Sequence, residues 1–202
     1  MNTPSHAIVN LAVFSQFSPP QANLAIAVGA ILPDLPIFLF YGWAKFIQKL
    51  PERQIWSEGY WQPGLQNWVA LFHSIPVAIF AAILADYCGW ETGKFIFMSM
   101  VFHSLGDLPV HHDDAHRHFF PFSDYRLISP ISYWDPQHYG RIVAAVEVLA
   151  VWVGTAVSFS GVASSLGKGL MVTIAGLSAI AYFYIYARPR WFKPSPSTSG
   201  KT

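Results

Sequence analysis

Five histidines and three aspartates lie within the 16 residues from His103 to His118, a density of metal-binding and proton-transferring side chains found nowhere else in the sequence. Imidazole nitrogens mixed with carboxylate oxygens suit Zn²⁺, Mn²⁺ or Fe²⁺, whereas oxygen-only sites suit Mg²⁺ or Ca²⁺. His103 and Asp107 are four residues apart and therefore share a helix face. The segment predicts a site for one or two transition-metal ions, with zinc favoured and manganese or iron as alternatives.

The same spacing recurs after Asp107. His111 continues this helix face if the helix passes Pro109, although proline tends to kink or end a helix. Two further pairs at this spacing are His112 with His116 and Asp114 with His118. A carboxylate from Asp113 or Asp114 would bridge two ions about 3.5–4 Å apart, as two-metal hydrolytic centres require. We therefore expect His111, Asp113 and Asp114 to be metal ligands.

Three residues outside this run are also candidate ligands: His6, Asp34 and His73. Each has a plainer interpretation. His6 could cap the first helix or lie at an interface. Asp34, between two prolines, could end a helix through an Asx-turn. His73 could be an interfacial histidine bonded to a backbone carbonyl.

Other residues of the run suggest catalysis and substrate binding. His116 and His118 are candidates for the general acid and base, because imidazole titrates near neutral pH. Arg117 and Arg126 could hold a phosphate, or contact lipid headgroups instead. His138 lies among aromatic residues and either faces a substrate or belongs to an interfacial aromatic belt.

The composition favours helices in a bilayer as the elements that position these side chains. Charged residues make up 11% of the 202 residues, less than half of the roughly 25% usual in soluble domains. A bilayer core needs roughly 20 apolar residues per helix. Segments that approach this length are residues 22–42, 68–88, 94–110, 142–161 and 169–187, and a shorter apolar stretch covers residues 6–17. The predicted fold is an all-α polytopic membrane helical bundle with about five transmembrane helices and a short N-terminal helix.

The basic residues predict the orientation of this bundle. With both termini in the cytoplasm, the loops at residues 43–67, 111–141 and 188–202 carry 10 of the 12 basic residues, in agreement with the excess of positive charge on cytoplasmic loops. Only Lys94 and Lys168 are left on the outer side. In this topology the candidate ligands converge at the cytoplasmic edge of the membrane.

The charge balance and the domain organisation limit the possible partners. The sequence has no basic block in the body of the chain, which argues against nucleic acid as a partner, and its single cysteine excludes an intrachain disulfide. We predict one helical membrane domain over residues 1–190, with a His/Asp-rich loop at residues 103–140, and a disordered tail at residues 191–202. The N-terminal segment lacks the basic residues of a cleaved signal peptide and is expected to be retained. The oligomeric state is left open.

The order of the short motifs resembles the membrane-bound metal-dependent hydrolase family. The matching motifs are Thr3-Pro4-Ser5-His6, Gly29 through Pro33-Asp34, His73-Ser74, and His103 followed by Asp107. The resemblance implies a small inner-membrane protein that hydrolyses its substrate with a metal, and it implies ligand roles for the histidines and aspartates of these motifs. His103, Asp107, Pro109 and His111 also resemble a motif of zinc-dependent phospholipases C and related nucleases.

The sequence departs from the family pattern in two places. Pro36 stands where the family usually has a second aspartate, so one ligand is missing there. The segment from Asp113 to Pro136 is richer in histidine, aspartate and aromatic residues than the general pattern. This second departure indicates a distinct subfamily.

These observations predict a metal-dependent hydrolase of an ester or phosphoester in the inner membrane of a bacterium. The position at the membrane edge favours a lipid-like, amphipathic substrate, whose apolar part could contact aromatic residues of the loop: Phe119, Phe120, Phe122, Tyr133 and Trp134. The alternatives are a metal-binding or metal-transport membrane protein without catalysis, and a membrane scaffold whose histidines only satisfy one another. A conduit should carry polar groups at successive depths of the membrane, whereas these histidines cluster at one edge.

Overall fold

The chain folds into helices joined by short turns and one long irregular segment. The computed structural model describes residues 1–187, in which no β-strand occurs. Its α-helices are α1 (Thr3–Phe14), α2 (Asn23–Ile31), α3 (Leu35–Gly42), α4 (Glu52–Gln54), α5 (Pro63–Phe72), α6 (Ile75–Tyr87), α7 (Glu91–Asp107), α8 (Gly140–Ser158) and α9 (Ser165–Tyr182). Short 3-10 turns cover Pro20–Ala22, Leu32–Asp34 and Pro136–His138, and π-helical turns cover Trp43–Ile47, Ile55–Gly59 and Phe183–Ala187. The predicted all-α class is confirmed, and the predicted tail at residues 191–202 lies outside the described residues.

Helix α7 lies at the centre of the packing. It contacts α2 and α6 along much of its length, while α1 packs on α2 and α8, and α8 packs on α9. A polar contact joins three of these helices: Asn10 of α1 donates to the backbone and hydroxyl oxygens of Ser99 (2.9 and 2.8 Å), and the Ser99 hydroxyl donates to the carbonyl of Ile26 (2.6 Å). Gly29 allows α2 to approach α7 closely, since a Cβ there would overlap the carbonyl oxygen of Ile96.

Several helices have the length and apolar surface needed to cross a bilayer. Three helical segments qualify, Pro20–Ile47, Gly140–Ser158 and Ser165–Tyr186, and α5 with α6 would form a fourth span bent by 46°. Large apolar side chains cover their outer faces, as Leu24, Phe80 and Leu149 illustrate. The membrane protein class is thus supported at this coarse level. The predicted number of five spans is not reached by this measure, because α7 has 17 residues. Helix α1, with 12 residues, corresponds to the short N-terminal helix that was predicted in addition to the five.

Two of the apolar segments are broken where they carry a candidate ligand. A 3-10 turn at Leu32–Asp34 separates α2 from α3, and Pro33 and Pro36 lie on either side of Asp34. The second break lies between α5 and α6, where His73 ends one helix and the hydroxyl of Ser74 caps the next by accepting from the Val77 amide (3.2 Å). Broken helices are tolerated at membrane depth where they line a polar cavity.

The long segment after α7 differs from the sequence-based prediction in one respect. Helix α7 ends at Asp107, and residues 108–135 contain no helix. Pro109 contributes to this end because it has no backbone N–H with which to continue the helical hydrogen bonds. The expected pairs of His112 with His116 and of Asp114 with His118 are therefore not helical pairs. Backbone bonds hold the segment in place instead, among them Ser129 to His111 (3.0 Å) and Ile75 to His118 (2.9 Å).

Candidate metal centre

The carboxylate of Asp107 lies in the middle of the histidine cluster, fully buried at the end of α7. Its Oδ1 atom lies 2.9 Å from Nε2 of His6 and 3.2 Å from Nε2 of His111. Its Oδ2 atom lies 3.0 Å from Nε2 of His103 and 3.9 Å from Nε2 of His73. The two oxygens of Asp107 thus face different pairs of imidazoles, an arrangement that a carboxylate bridging two cations would require.

Asp34 supplies the second carboxylate of the cluster from the break between α2 and α3. Its Oδ1 atom lies 3.5 Å from Nε2 of His73 and 3.8 Å from Nε2 of His103. Its Oδ2 atom accepts a hydrogen bond from the hydroxyl of Thr3. The break in the helix therefore brings Asp34 to the same two imidazoles that face Asp107.

The tautomers of the neutral His73 and His103 side chains are determined by their backbone partners. Nδ1 of His73 lies 2.9 Å from the carbonyl of Val69, and Nδ1 of His103 lies 2.7 Å from the carbonyl of Ala30. Each Nδ1 must donate to its carbonyl, so in the neutral imidazole Nε2 carries a lone pair. Both Nε2 atoms are buried without a hydrogen-bond partner and face carboxylate oxygens. Lone pairs facing anions are unfavourable unless a cation lies between them, so this arrangement fits a metal ion.

The spacing of the donor atoms agrees with this interpretation. Zn–N distances of 2.0–2.1 Å with tetrahedral angles separate neighbouring donor atoms by about 3.3 Å, close to the 3.0–3.9 Å observed around Oδ2 of Asp107. Three overlapping groups have their ligand atoms within 4.8 Å of one another: His6 with His103 and Asp107, Asp34 with His73 and His103, and His73 with Asp107 and His116. The structure thus brings together five of the eight predicted ligands (His6, Asp34, His73, His103 and Asp107) and adds His116.

His111 and Asp114 lie at the edge of this cluster. Nδ1 of His111 is 3.1 Å from Oδ2 of Asp114, while its Nε2 faces Asp107. Burial lowers the pKa of His111, but the nearby carboxylates of Asp107 and Asp114 outweigh burial and raise that pKa to about 9. Trp134 also donates to Oδ2 of Asp114 (3.2 Å). Asp114 thus orients His111 from the far side of the cluster.

The two residues predicted to be acid and base have different positions. His116 is buried against His73, with ring centroids 4.1 Å apart, and burial holds its pKa well below the ordinary value. His118 lies behind His73, its Nδ1 atom 3.3 Å from the His73 carbonyl, and burial lowers its pKa to about 4. Both imidazoles are therefore neutral at pH 7, which differs from the near-neutral titration on which their assignment rested. Neutral His116 is in the form that binds metal.

Asp113 and the remaining histidines lie outside the cluster. Asp113 is exposed and has no hydrogen bond with a described residue, so the structure puts Asp107 rather than Asp113 or Asp114 between the imidazoles. His112 turns away and stacks on His138 with ring centroids 3.7 Å apart, and His138 is held by Asp135 (2.6 Å). These two histidines form a separate contact within the long segment.

The cluster opens into a cavity of about 910 Å³, hereafter the metal-side cavity. Asp34, Asp107, His111 and His116 line it on one side. Its apolar wall consists mainly of aromatic side chains: Phe38, Trp56, Tyr60, Trp61, Tyr133 and Trp134. Arg53 lines it too, a residue to which the sequence had given no role. The signal for it was an arginine three residues before Trp56, in the segment between α3 and α5.

The two arginines that the sequence suggested as phosphate ligands are used elsewhere. Arg117 donates to the carbonyl of Gln66 (2.9 Å) and to the side chains of Asn67 and Asp124 (both 2.7 Å). Arg126 donates to Oε1 of Gln66 (2.9 Å) and to the carbonyl of Ala115. Their bonds fasten the long segment to the start of α5, and neither residue lines the metal-side cavity.

Comparisons with known proteins identify no relative. No family model matches the chain, and neither the curated proteins nor the solved structures include a significant match. The likeness to the membrane-bound metal-dependent hydrolases therefore remains a likeness of short motifs. The donor set and its geometry carry the functional argument.

Proposed function

We propose that this protein is a membrane-embedded, metal-dependent hydrolase that acts on an ester or phosphoester, with its site at the cytoplasmic edge of a bacterial inner membrane. The observation that carries the proposal is the pair of buried Nε2 atoms, those of His73 and His103, which lack a hydrogen-bond partner and face the carboxylates of Asp34 and Asp107. This donor set suits Zn²⁺ best and also suits Mn²⁺ or Fe²⁺.

The surroundings of the cluster support hydrolysis rather than metal storage. A bound transition metal would supply an activated water and polarise the oxygen of a substrate. The residues of the chain provide the rest: the carbonyls of Val69 and Ala30 fix the imidazoles, and the metal-side cavity gives a small molecule access to Asp34, Asp107 and His116. A purely structural histidine cluster would not need an open cavity of this size, which lies in the range of ligand sites.

The metal content of the purified protein tests whether the cluster binds a metal ion. We expect between one and two equivalents of Zn, Mn or Fe by elemental analysis of the wild type in detergent. His103→Ala and Asp107→Ala should lose most of this metal, because each removes a donor from the centre. His112→Ala is the matched control, since it removes a histidine of the same segment that stacks on His138 outside the cluster.

Turnover of a model substrate tests whether the metal-loaded protein is a hydrolase. We expect the metal-loaded wild type to hydrolyse a nitrophenyl phosphate or a nitrophenyl carboxylic ester, and the rate to fall in parallel with metal content in His103→Ala. A folded wild type that takes up none of the three metals would overturn the whole proposal. Stoichiometric metal without hydrolysis of either ester class would leave the non-catalytic metal-binding alternative.

A further inference from the structure

An unpaired arginine lines the metal-side cavity. Arg53 forms no hydrogen bond or ion pair with any residue of the described chain, in contrast to its neighbour Glu52, which binds Lys45 (2.6 Å) and Tyr41 (2.9 Å). A guanidinium binds phosphate-type anions in a bidentate manner. Arg53 is therefore the one basic side chain of this cavity wall that is free to bind an anion.

A second cavity adjoins the first. It has a volume of about 350 Å³ and lies mainly between α8 and α9, and we call it the α8–α9 groove. Most of its lining is apolar, including Val148, Ile174, Leu177, Ala181 and Ile185. Asn2, Tyr133 and Trp134 line both cavities. The polar cavity with the candidate metal centre thus lies next to an apolar groove on two candidate membrane spans, and these three residues border both.

The two cavities together define the chemistry of a ligand. We infer that the substrate is an anionic amphiphile whose phosphate-type group pairs with Arg53 in the metal-side cavity and whose hydrocarbon chain lies in the α8–α9 groove. This inference rests on the proposed function and gives it a substrate class. The exposed Asp113 carboxylate lines the same cavity, so its negative charge opposes the bound anion.

Binding of alkylphosphonates tests the role of Arg53 without any turnover, because their carbon–phosphorus bond is not hydrolysed. The protein is placed in nanodiscs of zwitterionic lipid and titrated with octylphosphonate, and tryptophan fluorescence is recorded because Trp56, Trp61 and Trp134 line the cavity. We expect Arg53→Gln to weaken binding about 10- to 100-fold, the range for a lost charge-assisted hydrogen bond. Arg53→Lys should retain part of the affinity, and Asp113→Asn should increase it.

Lys49→Gln is the matched control for charge. It removes the same charge from the same segment between α3 and α5, but Lys49 does not line the cavity, so the affinity for octylphosphonate should be unchanged. Octyltrimethylammonium, which has the same chain and the opposite charge, should bind at least tenfold more weakly than octylphosphonate. Equal affinity of Arg53→Gln and the wild type, or equal affinity for the two octyl ligands, would overturn the inference.

The proposed position of the hydrocarbon chain in the α8–α9 groove is tested by varying the length of the ligand's alkyl group. Octylphosphonate should bind at least tenfold more tightly than methylphosphonate, and Ala181→Phe, which fills the groove, should remove this difference. Ala156→Phe is the control, because Ala156 is exposed on α8 outside the groove. If methylphosphonate binds as tightly as octylphosphonate, the ligand is a free phosphate-type anion, and the inference that it is an amphiphile is overturned.

The test of this inference can be distinguished from the test of the proposed hydrolase function. Each titration is repeated after removal of metal with a chelator, and the metal content of every variant is measured. If the protein takes up no metal but still binds phosphonate in an Arg53-dependent manner, the proposed hydrolase function is wrong and the inferred anion-binding site stands. Metal-dependent hydrolysis with no effect of Arg53→Gln on octylphosphonate binding would reject only this inference.

Discussion

At the scale of single residues, Asp107 has the most demanding position. One carboxylate faces four imidazoles, and the α-amino group of Met1 also lies 2.9 Å from its Oδ1 atom. A buried carboxylate is costly without compensating charge or hydrogen bonds. In their neutral forms, the imidazoles of His73 and His103 cannot donate to it through Nε2, because the single ring proton is on Nδ1 and is donated to the backbone. A bound cation would compensate the charge of Asp107 and would also accept the Nε2 lone pairs of His73 and His103.

Asp114 offers a test of how this cluster is supported. It orients His111 (3.1 Å) without belonging to the three groups of ligand atoms. We expect Asp114→Asn to weaken metal affinity about 10- to 100-fold, the usual cost of losing a residue that orients the metal site from outside, while full occupancy returns at high metal concentration. The measurement is a competition titration with a metal-binding dye.

Asp113→Asn is the control for this substitution, because Asp113 is adjacent, exposed and without a hydrogen bond to any of residues 1–187. It should leave the metal affinity within about twofold of the wild type. An equal loss in both variants would mean that the general negative charge of the segment, rather than the contact with His111, accounts for the effect.

Sequence reasoning identified most of the cluster but not the division of roles within it. The spacing of His103 and Asp107 was sufficient to place both on one helix face, and their contact at 3.0 Å agrees with it. The position of His116 beside His73 could not be inferred, because it depends on how an irregular segment folds back across α5. Arg53 was missed for the same reason: its importance lies in having no partner, which only the surrounding chain reveals.

At the scale of elements, the approach of α2 to α7 sets the geometry of the centre. Gly29 lies against the backbone of Ile96, and the carbonyl of the next residue, Ala30, accepts from His103 (2.7 Å). The same contact brings the break at Asp34 close to the end of α7. A wider separation of these two helices would therefore disturb the tautomer of His103 and the position of Asp34 together.

A methyl group at Gly29 tests this dependence. We expect Gly29→Ala to lower the free energy of unfolding by about 1–3 kcal/mol through overpacking, to lower the melting temperature in detergent, and to reduce metal occupancy. Gly176→Ala is the control, since a Cβ at Gly176 has no neighbour within 4 Å, and it should be neutral or slightly stabilising. Full metal occupancy in Gly29→Ala would show that helix separation does not control the centre.

The helices themselves were largely predictable, and their breaks only in part. The predicted segment at residues 142–161 corresponds to α8 (Gly140–Ser158), and residues 169–187 overlap α9 (Ser165–Tyr182). Residues 22–42 and 68–88 were each predicted as one apolar segment, with a helix end at Asp34 as an alternative, and both are interrupted at a candidate ligand. Prolines indicate that a break is possible, but the bend depends on the helices packed around it.

At the scale of the whole molecule, the candidate centre lies at one end of the α6–α7 pair and Cys88 lies at the other. Helix α6 leads away from His73 over 13 residues and α7 returns to Asp107 over 17, which separates the centre from the turn by roughly 20–25 Å. Tyr87 and Trp90 are exposed at this turn, as aromatic residues at a membrane interface often are. The turn and the centre should therefore be on opposite sides of the bilayer.

The single cysteine allows this orientation to be measured. Cys88 is exposed, and we expect a membrane-impermeant maleimide to label it in intact cells. In a Cys88→Ser background, Ser57→Cys on the wall of the metal-side cavity should be labelled only after permeabilisation. The reverse pattern would invert the proposed topology, and labelling of both positions in intact cells would contradict a bilayer between them.

The order of the ligands along the chain has a consequence for biosynthesis. Every residue of the three candidate ligand groups precedes residue 117, whereas α8 and α9 follow and supply none. Glu147 of α8 instead accepts hydrogen bonds from Asn2 (2.8 Å) and Ser5 (2.6 Å), in the segment that carries His6. A ribosome thus completes the ligand set before it makes the α8–α9 hairpin, so metal binding can begin before that hairpin is made. The hydrogen bonds of Glu147 then hold the segment that carries His6 in place.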